Sequence, residues 1–145
     1  MKQITNTRKA VCIMANELRK AGYTLAQAFR KAWRRVKESM TVRATGTTFE
    51  NRQERLQFLR QFPTESLDVS LEQEKENKFD SNAIKIVIHI RPISRRTVIG
   101  YIPRGLAKEL SSVLERGVEV KAKLMQIIGG YDYKETLGLL LNIAI

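Results

Sequence analysis

Residues 83–90 read Ala-Ile-Lys-Ile-Val-Ile-His-Ile, and the isoleucines at 84, 86, 88 and 90 fall on one side of a period of two. Only an extended strand places residues i, i+2, i+4 and i+6 together, with Lys85 and His89 on the opposite side. Such a strand cannot stand alone, because its apolar face needs a sheet and a second layer to cover it. The rest of residues 41–145 offers that partner material in short pieces bounded by turn residues. Strand-like runs are expected over the β-branched stretch 41–49, over 67–71, over 97–102, and over the two longer stretches 118–128 and 137–145. The last two are joined by Gly129-Gly130 and a polar loop, and 75–82 forms another polar loop. Two helices interrupt the strands. Residues 50–62 have Leu56 and Leu59 inward and are stopped by Pro63, and Leu106, Ala107, Leu110, Val113 and Leu114 form a face that starts after Pro103 and stops at Gly117. The expected class is α+β: a small, partly open β-barrel with two inserted helices.

A different texture precedes it. Val11, Met14, Ala15 and Leu18 fall on one helical face that ends at Gly22, and Thr24 with Gln27 has the spacing of a capping box. A second helix follows, with Leu25, Ala28, Phe29, Ala32 and Val36 as its apolar stripe and Arg30, Arg34 and Lys37 on another face. Residues 1–40 are therefore expected to be a helical hairpin and 41–145 the barrel domain, with Trp33 and Phe29 at their interface. Two helices joined by a tight turn also have the outline of half a helix-turn-helix. Charge separates the same two parts. Residues 1–45 hold 11 Lys+Arg against two acids, whereas the other 100 hold 15 against 13, so most of the net charge of +11 lies at one end. An excess of this kind fits contact with a polyanion, or the solvated outer face of a helical pair.

Several classes drop out. The longest apolar run, 137–145, is far shorter than the ~20 residues of a membrane span. Arg8, Lys9 and Glu17 break up any leader-like apolar segment, and a cytoplasmic location is expected. One cysteine, Cys12, closes no intrachain disulfide, and with one histidine, His89, it makes no structural zinc site. No metal and no cofactor are expected. The serines lack a G-x-S-x-G context, no glycine-rich phosphate loop is present, and Cys12 and His89 sit on different kinds of element, so no enzyme is expected.

Four blocks carry a resemblance over about residues 42–145: Gly46-Thr47-Thr48-Phe49-Glu50-Asn51-Arg52-Gln53, Asn77-Lys78-Phe79-Asp80-Ser81-Asn82-Ala83-Ile84, Gly100-Tyr101-Ile102-Pro103-Arg104 with Ala107, and Ile128-Gly129-Gly130. In order and spacing they resemble the HIRAN domain, found at the N-terminus of DNA-repair translocases and as small stand-alone bacterial and phage proteins. The resemblance implies an OB/SH3-like barrel and a pocket for single-stranded DNA or a DNA 3′ end. It implies Phe49 and Phe79 as stacking aromatics, Asp80 as acceptor for a 3′-hydroxyl, Asn77 as a turn-former or nucleotide contact, and Arg104 as a phosphate ligand. The family's second block commonly reads Asn-Pro-Tyr-Asp, so Phe79 stacks without a hydroxyl to donate.

Each residue also has a structural reading. Asp80, two residues before Asn82, fits a turn cap as well as a ligand, Asn82 reads as a capping residue, and Phe49 fits a core position as well as a surface one. Tyr101 reads as packed; Tyr131 and Tyr133 are further surface aromatics. Asp68 with Glu76-Asn77-Lys78 has the outline of a nuclease acid and E-x-K, but Glu76 and Lys78 lie in the loop that the resemblance already accounts for. The segment from Ala15 to Trp33 resembles short helices of phage and mobile-element proteins of Gram-positive bacteria. The function expected is a non-enzymatic DNA-binding module in which the barrel takes single strands or 3′ ends and Arg30, Arg34 and Lys37 add phosphate contacts. The alternative is a phage or mobile-element modulator whose cationic helices bind and inhibit a host nucleic-acid enzyme such as a nuclease.

Overall fold

The computed structural model describes the backbone of residues 2–131 and 134–145 and the side chains of residues 7–130 and 136–145. Tyr133 and the side chain of Tyr131 lie outside the described residues. Helix α1 (Lys2–Lys20) and helix α2 (Leu25–Lys37) form the hairpin. Their junction is built as the spacing predicts: the Thr24 hydroxyl accepts from Gln27 N–H, and the Gln27 side chain accepts from Thr24 N–H. The barrel follows as β1 (Met40–Arg43), α3 (Arg52–Leu59), β2 (Leu67–Gln73), β3 (Ile84–Ile90), β4 (Arg95–Tyr101), α4 (Arg104–Glu115), β5 (Lys121–Tyr131) and β6 (Lys134–Ala144).

The six strands are antiparallel in the order β1-β6-β5-β2-β3-β4. The sheet curls far enough that Thr45, just past β1, pairs with Tyr101 of β4 through two N–H···O bonds of 2.8 Å. That closure needs Gly100, because a Cβ there would lie 2.6 Å from the Thr45 carbonyl oxygen. Between β2 and β5 the pairing narrows to Val69 and Ala122, so the barrel is only partly closed. Ile84, Ile86, Ile88 and Ile90 are buried inside it, as the alternation requires, together with Leu56 and Leu59 of α3, Ile99 of β4, Leu110 of α4, and Leu139, Leu141 and Ile143 of β6. Each fully buried side chain of this size contributes about 1.5–3 kcal/mol relative to exposure.

Three features differ from the sequence expectation. Strand β1 ends at Arg43, and residues 47–51 form a turn, because the chain must leave the sheet to enter α3. Gly129 and Gly130 lie within β5 rather than in a connecting loop; both have positive φ, and the register with β6 shifts there. The hairpin docks through other residues than Trp33. Its core of Ala10, Val11, Met14, Ala15, Leu18, Ala28, Ala32 and Val36 takes in Val113 and Val118 from the end of α4 and beyond, with Phe29 packed at its side. Lys9 Nζ donates to the Arg116 carbonyl at 2.8 Å, and Arg35 pairs with Glu109 of α4. Trp33 stays 38% exposed, with Lys37 Nζ 5.4 Å from its ring centroid. The side of α2 turned to α4 therefore carries Arg35, not an aromatic.

Candidate nucleic-acid interface

Beside the Thr45–Tyr101 closure lies an open cleft of about 510 Å³. Thr45, Gly46, Phe49 and Arg52 form one side, Asn77, Phe79, Asp80 and Ala83 the other, Tyr101 and Ile102 line it between them, and Arg104 stands at the start of α4. Five residues expected from the sequence thus converge: Phe49, Asn77, Phe79, Asp80 and Arg104. Phe79 is 92% exposed and Phe49 67%, which removes the core reading of Phe49. Leaving two large rings in water forgoes burial, the more so where they flank one cleft, and fits surfaces on which a base can stack.

The loop that carries Phe79 is held by its own polar residues. Glu74 N–H donates to the Ala83 carbonyl and fixes the ends of the loop. Asn77 Oδ1 accepts from the N–H groups of Phe79 (2.9 Å) and Asp80 (3.0 Å), and Asn77 Nδ2 donates to Glu74 Oε1 at 3.3 Å. Asp80 Oδ1 accepts from Asn82 N–H at 2.9 Å, so Asp80 does cap the turn. Its other oxygen, Oδ2, faces the cleft-lining Arg104, with 3.8 Å to Nε. The carboxylate therefore caps with one oxygen and turns the other towards Arg104. Asn82, expected as a cap, enters the turn among the described residues through its backbone N–H, and Asn77 and Asp80 supply the acceptors.

Between the walls, Tyr101 hydroxyl donates to Glu74 Oε2 at 2.9 Å. Burial first, and then the bond to the Glu74 carboxylate, raise the Tyr101 pKa above its ordinary value. Arg52 is only 7% exposed. Its Nη1 donates to the Gly46 carbonyl at 2.7 Å, its guanidinium carbon lies 5.1 Å from the Tyr101 ring centroid, and Glu50 Oε2 is 4.0 Å from Nη2. Gln53 ties the same turn to β6: Nε2 donates to Thr47 O and Leu137 O, and Oε1 accepts from Leu137 N–H. Arg104 is highly exposed, and Nη2 makes a long contact of 3.5 Å to the Phe79 carbonyl. Arg30, Arg34 and Lys37 are exposed on α2 and do not line the cleft.

The HIRAN domain family profile matches residues 23–137. The chain belongs to the HIRAN domain family. HIRAN domains are DNA-binding modules. The match takes in α2 as well as the strands, and so begins earlier than the four sequence blocks. Two solved structures are similar to the chain. One is a protein from Lactobacillus plantarum, with 19% identity and a TM-score of 0.48 over 73% of this chain and 95% of that one. The other is the HIRAN domain of human HLTF, with 17% identity and a TM-score of 0.42 over 72% of this chain and 74% of that one. Among curated proteins, none matches.

Sequence reasoning missed Arg52 and Tyr101 as lining residues of this HIRAN cleft, and Glu74 as the partner that holds Tyr101 and Asn77. Arg52 and Tyr101 stand inside two of the family blocks, and that was the available signal. Glu74 gave none, because a lone acid at the end of a strand looks like any other. Among the described residues no group of acids, histidines or cysteines could hold a metal, and no helix is long and apolar enough to cross a membrane.

Proposed function

We propose that this HIRAN protein binds the 3′ end of a DNA single strand in the cleft between Phe49 and Phe79, by recognition and without turnover. The observation that carries the proposal is the pair of exposed rings flanking one cleft that also contains Arg104 and Asp80, whose Oδ2 is not used by the turn and faces Arg104. Bases stacked on Phe49 and Phe79 would contribute about 1–3 kcal/mol each. Asp80 Oδ2 is the acceptor for the terminal hydroxyl, and Arg104, at a helix N-terminus, meets the neighbouring phosphate. Arg52 adds a buried positive charge beneath, where attraction to an anion is less screened than in water. Residues 1–40 serve as a separate basic part, in which Arg30, Arg34 and Lys37 add sequence-independent phosphate contacts that weaken with salt.

Anisotropy titrations with a 12-mer bearing a 3′-hydroxyl or a 3′-phosphate test the end reading. The hydroxyl form should bind several-fold tighter. Asp80→Asn keeps an acceptor for the Asn82 N–H yet loses the anionic oxygen, so it should remove the preference while the fold persists. Equal affinity of the two wild-type complexes refutes 3′-end capture.

A further inference from the structure

On the proposed cleft reading, the strand must leave the cleft in some direction, and the cations outside it mark one. Arg104 opens α4, and Lys108 follows four residues later, also exposed. Four residues are one turn, so the two side chains share a face about 6 Å apart along the axis. The next residue, Glu109, could neutralise Lys108, but it is taken by Arg35 of α2. That pair links α2 to α4 through two long side chains, about 7.5 Å along the α4 axis from Arg104. One turn back from Arg35 on α2 stands Lys31, exposed, with Nζ 4.5 Å from the Tyr23 ring centroid and bonded to the Tyr23 hydroxyl. Arg34 is exposed beside it, and residues 25–37 contain no acid. Among the described residues none of Lys108, Lys31 or Arg34 is paired with a carboxylate. Such a row repels itself until a polyanion covers it.

We infer that Arg104, Lys108, Lys31 and Arg34 form a phosphate track over α4 and α2 for the single strand whose end occupies the cleft. The two cations on α4 lie about 6 Å apart along the axis, and the row then crosses to α2 beside the Arg35–Glu109 pair, at least about 8–10 Å further, so a strand stacked at about 3.4 Å per nucleotide covers it in about five or six nucleotides.

The experiment compares wild type with the exposed-residue double variant Lys108→Ala/Lys31→Ala on 3′-hydroxyl oligonucleotides of three to fifteen nucleotides. Binding of the trinucleotide is followed by amide chemical shifts of the cleft residues and binding of the longer ones by anisotropy at several salt concentrations. Wild-type affinity should rise up to about eight or nine nucleotides and then level off. The double variant should bind the trinucleotide unchanged, lose most of the rise, and show a log–log salt slope shallower by about 1.4 for two lost contacts. A wild type that binds the trinucleotide with no gain on lengthening overturns the track and leaves the cleft reading standing. A trinucleotide that shifts no cleft residue overturns the cleft reading and the track with it. A blunt duplex bound with the same dependence on both lysines overturns the assignment to a single strand.

Discussion

Asn77 is the residue on which the cleft loop turns, and its replacement has a calculable effect. In Asn77→Ala three hydrogen bonds disappear: two in which Oδ1 accepts from the N–H groups of Phe79 and Asp80, and one from Nδ2 to Glu74. Each is worth about 0.5–1.5 kcal/mol net. The loop is partly open to water, which can satisfy the freed amides, so values near the low end apply and the sum is about 1.5–3 kcal/mol. For a chain of this size that lowers the melting temperature by roughly 3–12 °C. The loop should respond more directly than the melt. Amide exchange at Phe79 and Asp80 should accelerate at least about tenfold, and oligonucleotide affinity should fall as the fraction of ordered loop falls. Asn77→Asp separates the two halves of the effect. It retains an acceptor for both N–H groups but sets a carboxylate against Glu74, so exchange at Phe79 should change less than in the alanine variant. Unchanged exchange at both amides in Asn77→Ala would refute the argument that Asn77 organises the cleft.

Two further outcomes follow from other parts of the barrel. Gly129→Ala would place a Cβ 2.0 Å from the Thr136 carbonyl oxygen at a φ of +91°, which backbone movement alone can relieve. A loss of about 2–4 kcal/mol is expected from urea unfolding, and a loss under 0.5 kcal/mol would contradict the bulge geometry. The Tyr101 phenol has its pKa raised in the folded protein by burial and by Glu74, so folding favours its protonated form. Its contribution to stability is present below the unfolded value near 10 and is lost as pH rises through the folded value. Between pH 9 and 11.5 the urea midpoint of wild type should therefore fall more steeply than that of Tyr101→Phe; identical alkaline slopes would show that the burial and the Glu74 bond do not act on this group.

How far the fold could be read in advance depended on whether a residue's signal was local. The alternation of Ile84, Ile86, Ile88 and Ile90 and the Thr24/Gln27 box are local and appear in the structure as expected. The two glycines of β5 are locally ambiguous: Gly-Gly suits a loop, and only the opposing Thr136 carbonyl explains its place inside a strand. Trp33 failed for a related reason. An aromatic on an amphipathic helix reads as a contact, but Lys37 at i+4 gives it a partner on the outside, and small residues let α1 and α2 pack closely without it. In the cleft, Phe79 and Asp80 were legible because they belong to one contiguous block. Glu74 was not, since its meaning arises from a hydrogen bond to Tyr101, 27 positions away.

The same distinction bears on how selectivity and affinity are divided. At the cleft, Arg104 faces Asp80 and Arg52 faces Glu50, so formal charge nearly cancels there. On the proposed reading, long-range attraction then comes mainly from residues 1–45, the hairpin and β1, which carry 11 cations against two acids. Attraction of that kind is screened over about 10 Å at 0.1 M salt, whereas stacking on Phe49 and Phe79 and a hydrogen bond at Asp80 Oδ2 are nearly indifferent to it. The two contributions should therefore part on titration with salt. As salt rises, total affinity should decline steeply while the ratio of affinities for 3′-hydroxyl and 3′-phosphate ends holds constant, because both ends share the hairpin and the track and differ only at the carboxylate. A ratio that collapses with the affinity would mean that end preference is itself electrostatic, arising from repulsion between Asp80 and the added phosphate across open solvent and not from a hydrogen bond inside the cleft.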